Sequence, residues 1–332
     1  MSRIMVMAAA GLLASAAAQA GLLSVPNGYT PEKSWPVVIS YQDNPSPELM
    51  KKTSYFLVHA GGRGTESRRK TIDYLKDLAK RYNIDPLRIY GTGFSRGGHE
   101  VLTLAWQHPH WYAAIAPVCN DLRQEPKVLR VRYLGHTPAL LLHGDHDSFR
   151  KTGKRLHELM IAAGCQATYT TYPGGHSPKR PFKENVKLLT DFFDRHSLDP
   201  YPKRVVHLVE HKRYSRAFWV DATLTADKGG QAEVFKVAVG KGNRIDVEVT
   251  DKIAALDLHL TDKLVDMGKP VKVVWKGKTL YEGPAKAALT VKIREGKPYH
   301  RGPRKPLWEE INAIRAAAKY ARPKPTTRPA RN

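Results

Sequence analysis

Three short stretches of this chain carry the residue types of a nucleophile, an acid and a base. The first is Tyr90-Gly91-Thr92-Gly93-Phe94-Ser95-Arg96-Gly97-Gly98. Gly93 and Gly97 flank Ser95 two residues away on either side, the G-x-S-x-G spacing of a serine held on a sharp strand-to-helix turn. Small residues there let strand and helix approach, and the turn lifts Oγ clear of the sheet at the positive end of a helix. The Arg96 N–H can then face a developing oxyanion. A serine nucleophile needs a base to take its proton and an acid to orient that base. His143-Gly144-Asp145-His146-Asp147 and Tyr172-Pro173-Gly174-Gly175-His176-Ser177-Pro178 offer them in the order serine, acid, histidine. Asp147 is read as the acid, Asp145 as the neighbouring turn former, and His176 as the base on a glycine-rich loop.

Each of these stretches needs an element to hold it. Residues 87–90 read as a short buried strand leading into Ser95, after a turn at 83–86, and 96–107 as a helix with Val101, Leu102, Leu104 and Ala105 on its apolar face. Strands are expected at 35–40, 55–59, 112–118, 138–142 and 166–172, and helices at 66–82, 151–163 and 183–195. Strand–helix alternation implies an α/β fold with a doubly wound, mainly parallel sheet. At Asp199-Pro200-Tyr201-Pro202 the pattern changes to short β runs at 205–209, 217–222, 234–239, 245–249, 255–260 and 271–275. Gly229-Gly230, Gly240-Lys241-Gly242 and Lys276-Gly277 separate them, as in a small all-β, sandwich-like domain. The expected layout is a leader at 1–20, a catalytic domain at 21–198, a β accessory domain at 199–295 and a basic, proline-rich tail at 296–332. The tail contains one helix near 306–321.

Composition bounds the function classes. The 332 residues include 54 basic and 31 acidic ones, a formal charge of +23. Arg3, an apolar run from Ile4 to Ala18 and Ala18-Gln19-Ala20 have the layout of a cleaved secretory signal, which implies a secreted or periplasmic protein with no membrane span after cleavage. Export and the scatter of Lys and Arg argue against nucleic acid as partner. The basic surface favours an anionic polysaccharide or envelope surface instead, with Arg301, Arg304, Lys305, Arg322, Lys324, Arg328 and Arg331 as the anchor. Cys119 and Cys165 are the only cysteines, and they read as free and buried. His143, Asp145, His146 and Asp147 lack a matching ligand partner elsewhere, so no metal and no cofactor is expected. Trp219 and Trp275 read as core residues rather than sugar platforms.

Gly93–Gly97, His143-Gly144-x-x-Asp147 and Gly174-Gly175-His176 together resemble the α/β-hydrolase superfamily over residues 25–196. The likeness is to its secreted esterase and depolymerase-like branch, which shades into prolyl-oligopeptidase-type peptidases. Asp-Pro-Tyr-Pro-Lys-Arg-Val at the junction is also similar to an uncharacterised group of exported bacterial hydrolases. The resemblance implies a serine hydrolase that cleaves small or polymeric carboxylic esters through an acyl-enzyme, with Ser95, His176 and Asp147 as its triad. A serine-type peptidase and a catalytically weak envelope- or polysaccharide-binding protein stand as alternatives. His59-Ala60-Gly61-Gly62 looks like the family's oxyanion motif, but only one helix and one strand separate it from Ser95. Strand 55–59 is therefore expected to be the fourth of the fold. The oxyanion loop is then Tyr41-Gln42-Asp43, with an N–H of Tyr41 or Gln42 acting beside that of Arg96. The stretch 119–137 is too short for a lid domain, which implies an open site.

Overall fold

The computed structural model of the chain describes residues 23–43, 45–60, 64–124, 127–225, 232–295 and 305–320, with backbone alone for 64–69. The expected leader, Gly229-Gly230 and every basic tail residue named above except Lys305 lie outside the described residues. Among these residues no helix is long and apolar enough to cross a membrane.

Seven strands, β1 (Leu23–Ser24), β2 (Trp35–Tyr41), β3 (Phe56–Ala60), β4 (Ile84–Phe94), β5 (Ala114–Val118), β6 (Ala139–Gly144) and β7 (Ala167–Tyr172), form one sheet in the order β1-β3-β2-β4-β5-β6-β7. Only β1 runs antiparallel to its neighbour. The near-continuous apolar runs of β2, β3, β5 and β6 fit strands covered on both faces. Alternate residues feed two cores. Val37, Ile39, Ile89 and Leu141 pack with α2 (Gly64–Arg81), α3 (Arg96–Gln107) and α4 (Arg150–Ala162). Val38, Tyr90 and Leu142 pack on the other face with Met50 of α1 (Pro47–Lys51) and with Phe192 and Phe193 of α5 (Lys187–Phe193).

Two expectations need correcting here. The turn at 83–86 is already strand: Ile84 is buried and pairs with Trp35, and a register irregularity between Trp35 and Val37 accommodates Pro86, which has no N–H to donate. The helix expected over 183–195 is α5 alone, preceded by a π-helical turn at Lys179–Glu184 that ends where Asn185 turns extended (φ −144°).

Beyond residue 203 the chain forms two further sheets. β8 (Arg204–Val209), β11 (Glu233–Val239), β12 (Arg244–Val249), β14 (Pro270–Trp275) and β15 (Lys278–Pro284) are ordered β15-β14-β12-β11-β8. β9 (Arg216–Ala217), β10 (Val220–Leu224), β13 (Ile253–His259) and β16 (Ala288–Lys292) are ordered β16-β13-β10-β9. The run 217–222 is split because Phe218, at φ +53°, turns the chain. Inward residues of both sheets, among them Phe235, Val247, Leu256 and Val291, belong to the same apolar cluster as Tyr90 and Phe193 of the first sheet. Trp219 is in this core, whereas Trp275 is only half-buried, with Lys276 and Arg294 over its ring.

The described part of the tail is a docked helix, α6 (Leu307–Ala317). Leu307, Trp308 and Ile311 are buried, Glu310 pairs with Lys76, and Arg315 donates to Asn83 Oδ1 at 2.8 and 3.0 Å. The C-terminal stretch thus returns to α2 and the start of β4.

Candidate active site

Ser95 sits between β4 and α3 at φ +52°, ψ −113°. A non-glycine residue there carries strain of about 1–3 kcal/mol, sustained by its surroundings. The Ser95 N–H is tied to the Val118 carbonyl at 2.8 Å. The two glycines answer different crowding. A Cβ on Gly93 would lie 2.5 Å from the Gly97 carbonyl, so Gly93 sets the strand–helix approach. A Cβ on Gly97 would lie 1.8 Å from the Tyr41 carbonyl, so Gly97 makes room for the end of β2. Ser95 makes no capping bond to α3, and its Oγ instead lies 3.1 Å from His176 Nε2.

His176 follows β7 on a loop that turns at Gly174 (φ +134°). Two features pin this loop to the acid-bearing loop after β6. Gly144 has no Cβ, which would fall 2.2 Å from the Gly175 carbonyl, and Asp145 Oδ1 accepts the Gly174 N–H at 2.9 Å. Asp145 also accepts from His146 Nδ1 at 2.7 Å and faces solvent, so it ties the loops together and does not reach His176. Asp147 does. Its Oδ1 lies 3.0 Å from His176 Nδ1 and accepts the Phe149 N–H at 2.9 Å. An ionised carboxylate only accepts, so the proton facing it is on His176 Nδ1. Nε2 is then left as the acceptor for the Ser95 hydroxyl. The His176 ring lies between Phe94 (4.8 Å) and Phe149 (5.0 Å), and its side chain is 31% exposed.

The Asp147 side chain is fully buried, which by itself would raise its pKa. The Phe149 N–H, the Cys119 thiol, His143 and His176 outweigh that and hold it below the usual carboxylate range. Ligand atoms of Cys119, Asp147 and His176 lie within 4.8 Å of one another. Burial pushes the Cys119 thiol up to about 12, so beside the carboxylate it stands protonated. Cys119 and Cys165 are both free and buried, as expected.

β2 lies beside β4, and β3 lies beyond β2, so the loop that abuts the start of α3 is the one after Tyr41. Tyr41 belongs to the strand ladder opposite Gly93. Gln42 has left the ladder at φ +52°, and its N–H, like that of Arg96 at the first turn of α3, has no acceptor among the described residues. The Arg96 side chain is exposed. His59 is on β3, with Gly61 and Gly62 outside the described residues.

Sequence reasoning missed the shell behind the acid. His143 Nδ1 lies 2.9 Å from the second oxygen of Asp147, and Asn120 Nδ2 lies 3.2 Å from His143 Nε2. The His-Gly-x-x-Asp spacing was the available signal, but nothing local connects Asn120 to it.

No protein-family model matches the chain. A provisionally named esterase, NocK of Nocardia uniformis subsp. tsuyamanensis, is 39% identical over 82 residues, which are 25% of this chain and 22% of that protein. The chain therefore aligns with about a fifth of its curated relative's length. Among solved structures, a ferulic acid esterase is 15% identical over 52% of this chain and 91% of its own, with a TM-score of 0.42. A truncated carbohydrate esterase from gut microbiota is 18% identical over 52% and 89%, with a TM-score of 0.43. A protein provisionally described as dipeptidyl aminopeptidase IV, from Bacteroides ovatus, is 16% identical over 52% and 33%, with a TM-score of 0.42.

Proposed function

We propose that this chain is a serine hydrolase of α/β-hydrolase fold that cleaves carboxylic esters through an acyl-enzyme. The observation that carries the reading is the unbroken chain Ser95 Oγ–His176 Nε2 (3.1 Å) and His176 Nδ1–Asp147 Oδ1 (3.0 Å), with Ser95 at positive φ on a helix N-terminus. Ser95 Oγ attacks the ester carbon as its proton passes to His176 Nε2, and the carbonyl π pair moves onto oxygen. The N–H groups of Arg96 and Gln42 hold that oxyanion. Gln42 is favoured over Tyr41, whose backbone is committed to the sheet. The anionic Asp147 stabilises the imidazolium. Collapse expels the alkoxide, which leaves as the alcohol with the proton from His176. Water repeats the sequence on the acyl-enzyme, releasing the acid and restoring Ser95.

In this reading residues 21–198 are the catalytic unit and 199–295 a β-sandwich-like accessory unit. The signal-like segment at 1–20 directs export, and the half-open His176 suits bulky or polymeric esters. A basic surface of this charge would hold the enzyme near anionic polysaccharide or envelope.

The test is intact mass after fluorophosphonate treatment, beside ester turnover. Wild type should gain one adduct and Ser95→Ala none, with turnover lower by about 10⁴-fold or more in Ser95→Ala and His176→Ala. Undiminished turnover in either variant, or no adduct on folded wild type, overturns the reading. Matched ester and amide substrates compared by kcat/KM then separate esterase from peptidase.

A further inference from the structure

Both oxygens of Asp147 are engaged, and the second one faces away from the proposed reaction. Oδ1 serves His176 and the Phe149 N–H, whereas Oδ2 accepts from His143 Nδ1 at 2.9 Å. His143 lies at the end of β6 with no exposed surface. Its ring stacks near Tyr169 of β7 (6.0 Å between centroids) and against Gly153 of α4, where a Cβ would come within 2.3 Å of Nε2. On its far side Nε2 lies 3.2 Å from Asn120 Nδ2. The titratable groups around it are Asp147, His176 and Tyr169, with the Cys119 thiol facing Asp147 from β5's end. A continuous line therefore runs Asn120–His143–Asp147–His176–Ser95, with no link longer than 3.2 Å.

The chemistry of the donors fixes the direction of this line. The carboxylate can only accept, so His143 carries a proton on Nδ1. Burial disfavours a charged ring, which leaves Nε2 as a lone pair, and the Asn120 amide NH₂ satisfies it. The amide could face the other way only if Nε2 were protonated too.

We infer that His143 is a positioning residue for the proposed hydrolysis: held by Asn120 as its Nδ1–H tautomer, it donates to Oδ2 of Asp147 and thereby fixes the plane in which Oδ1 meets His176. This rests on the reading of Ser95, His176 and Asp147 as nucleophile, base and orienting acid. Two effects follow. Orientation of the base is set by a carboxylate that cannot rotate. The donated bond also draws charge from Asp147, which weakens its hold on the His176 proton.

The experiment compares His143→Leu, which has no donor, with His143→Asn, whose amide can donate from near the Nδ1 position. Active sites are counted by fluorophosphonate titration of Ser95. Per active site, His143→Leu should lose about 10- to 100-fold in kcat with little change in KM. The acid limb of its kcat/KM profile should rise by about half a pH unit or more, since a stronger carboxylate–imidazolium attraction resists deprotonation. His143→Asn should regain about tenfold of that kcat, with its limb returned towards wild type. A merely structural role would lower the number of active sites and leave the limb where it was. Superimposable profiles per active site overturn the inference.

Imidazole ¹⁵N resonances of wild type provide a test that needs no variant. His143 should be neutral and protonated at Nδ1 at pH 7.5, and an Nε2–H or doubly protonated ring there overturns the inference. If wild type takes no fluorophosphonate adduct, the functional reading fails instead, whatever tautomer His143 shows.

Discussion

At the active site His143 and His176 share one carboxylate. At the junction between the seven-stranded sheet and the two β sheets, His110 and His207 are buried and His136 half-buried among rings and backbone groups. His110 and His136 pack edge-on to Phe218, and His207 packs on Phe235. His136 Nε2 accepts the Val206 N–H at 3.1 Å, a bond across the junction that a protonated ring could not accept, and His207 Nε2 donates to the Tyr214 carbonyl at 2.5 Å. Burial pushes these three down, His110 to about 3 and His136 and His207 to about 4. One residue type thus serves two ends. Beside the carboxylate both imidazoles are oriented by it, whereas among apolar rings the imidazole is neutral, and at His136 and His207 it bonds to backbone groups.

The sharpest way to break this contrast is to neutralise the shared carboxylate. Asp147→Asn should lower kcat/KM by about 10³- to 10⁴-fold, because the amide can present a donor to His176 and favour the wrong tautomer. A loss below tenfold, measured on an ester of good reactivity, would mean that Asp147 does not orient the base.

The junction has its own partly buried charge, Glu210, and its removal should separate stability from chemistry. Glu210 accepts from Trp106 Nε1 at 2.9 Å and Gln107 Nε2 at 3.0 Å and pairs with Arg130 at 2.6 Å. Glu210→Ala removes the acceptor shared by Trp106, Gln107 and Arg130, so unfolding should become easier by about 1 to 2 kcal/mol in urea titration. The fluorophosphonate labelling rate per folded molecule should hold. A matching fall in labelling rate would show that the β sheets bear on the triad.

The two regions also differ in how far the sequence exposes them. Ser95, Asp147 and His176 are legible because each follows a strand within a short glycine-bearing motif: Gly93, Gly97 and Gly144 answer a local crowding, and Gly174 takes a positive φ. Counting strands also placed residues 41–43, the proposed oxyanion loop, beside Ser95, and β2 does end against α3. Asn120 and the junction histidines carry no such mark, since their partners are 23 and 70 residues away. β15 and β16 escaped for another reason. Both are edge strands: β15 has few apolar residues and β16 is only five residues long, and they are held by register with β14 and β13. The docking of α6 is equally non-local: Leu307 and Ile311 join the core beneath α2, while Trp308 packs edge-on to Tyr201 in the other cluster, and only the fold supplies these surfaces.

The junction histidines make stability depend on acidity in a definite direction. Their folded values lie below the ordinary value of 6.5, so between about pH 6.5 and 4 the unfolded chain binds more protons than the folded one. Their contribution to stability is complete above pH 6.5 and is lost as pH falls through that window, with a slope approaching about 4 kcal/mol per pH unit near pH 5. Urea midpoints at pH 7.5 and 5.0 measure it. His136→Gln, whose side-chain carbonyl can still accept the Val206 N–H, should flatten the slope by about a third. An unchanged slope would mean that His136 is protonated in the folded protein.

The smallest expected effect lies back at the active site and ranks the donors around Asp147. Cys119, in the left-handed region at φ +47°, stands beside the carboxylate and helps to lower its pKa, while its one thiol proton is directed at Tyr172 Oη, 3.0 Å from Sγ. A thiol is a weak donor, and the Tyr172 hydroxyl already donates to the Ser177 carbonyl at 2.7 Å, so Cys119→Ala leaves no donor stranded. The acid limb of kcat/KM should rise by no more than a few tenths of a pH unit, with kcat within about twofold of wild type. That is a fraction of the shift expected for His143→Leu, because an imidazole N–H at 2.9 Å draws more charge from the carboxylate than a thiol does. If Cys119→Ala moved the limb as far as His143→Leu, the carboxylate would be responding to any loss of packing around it. The contrast between an imidazole oriented by the carboxylate and one set among apolar rings would then not hold at Asp147.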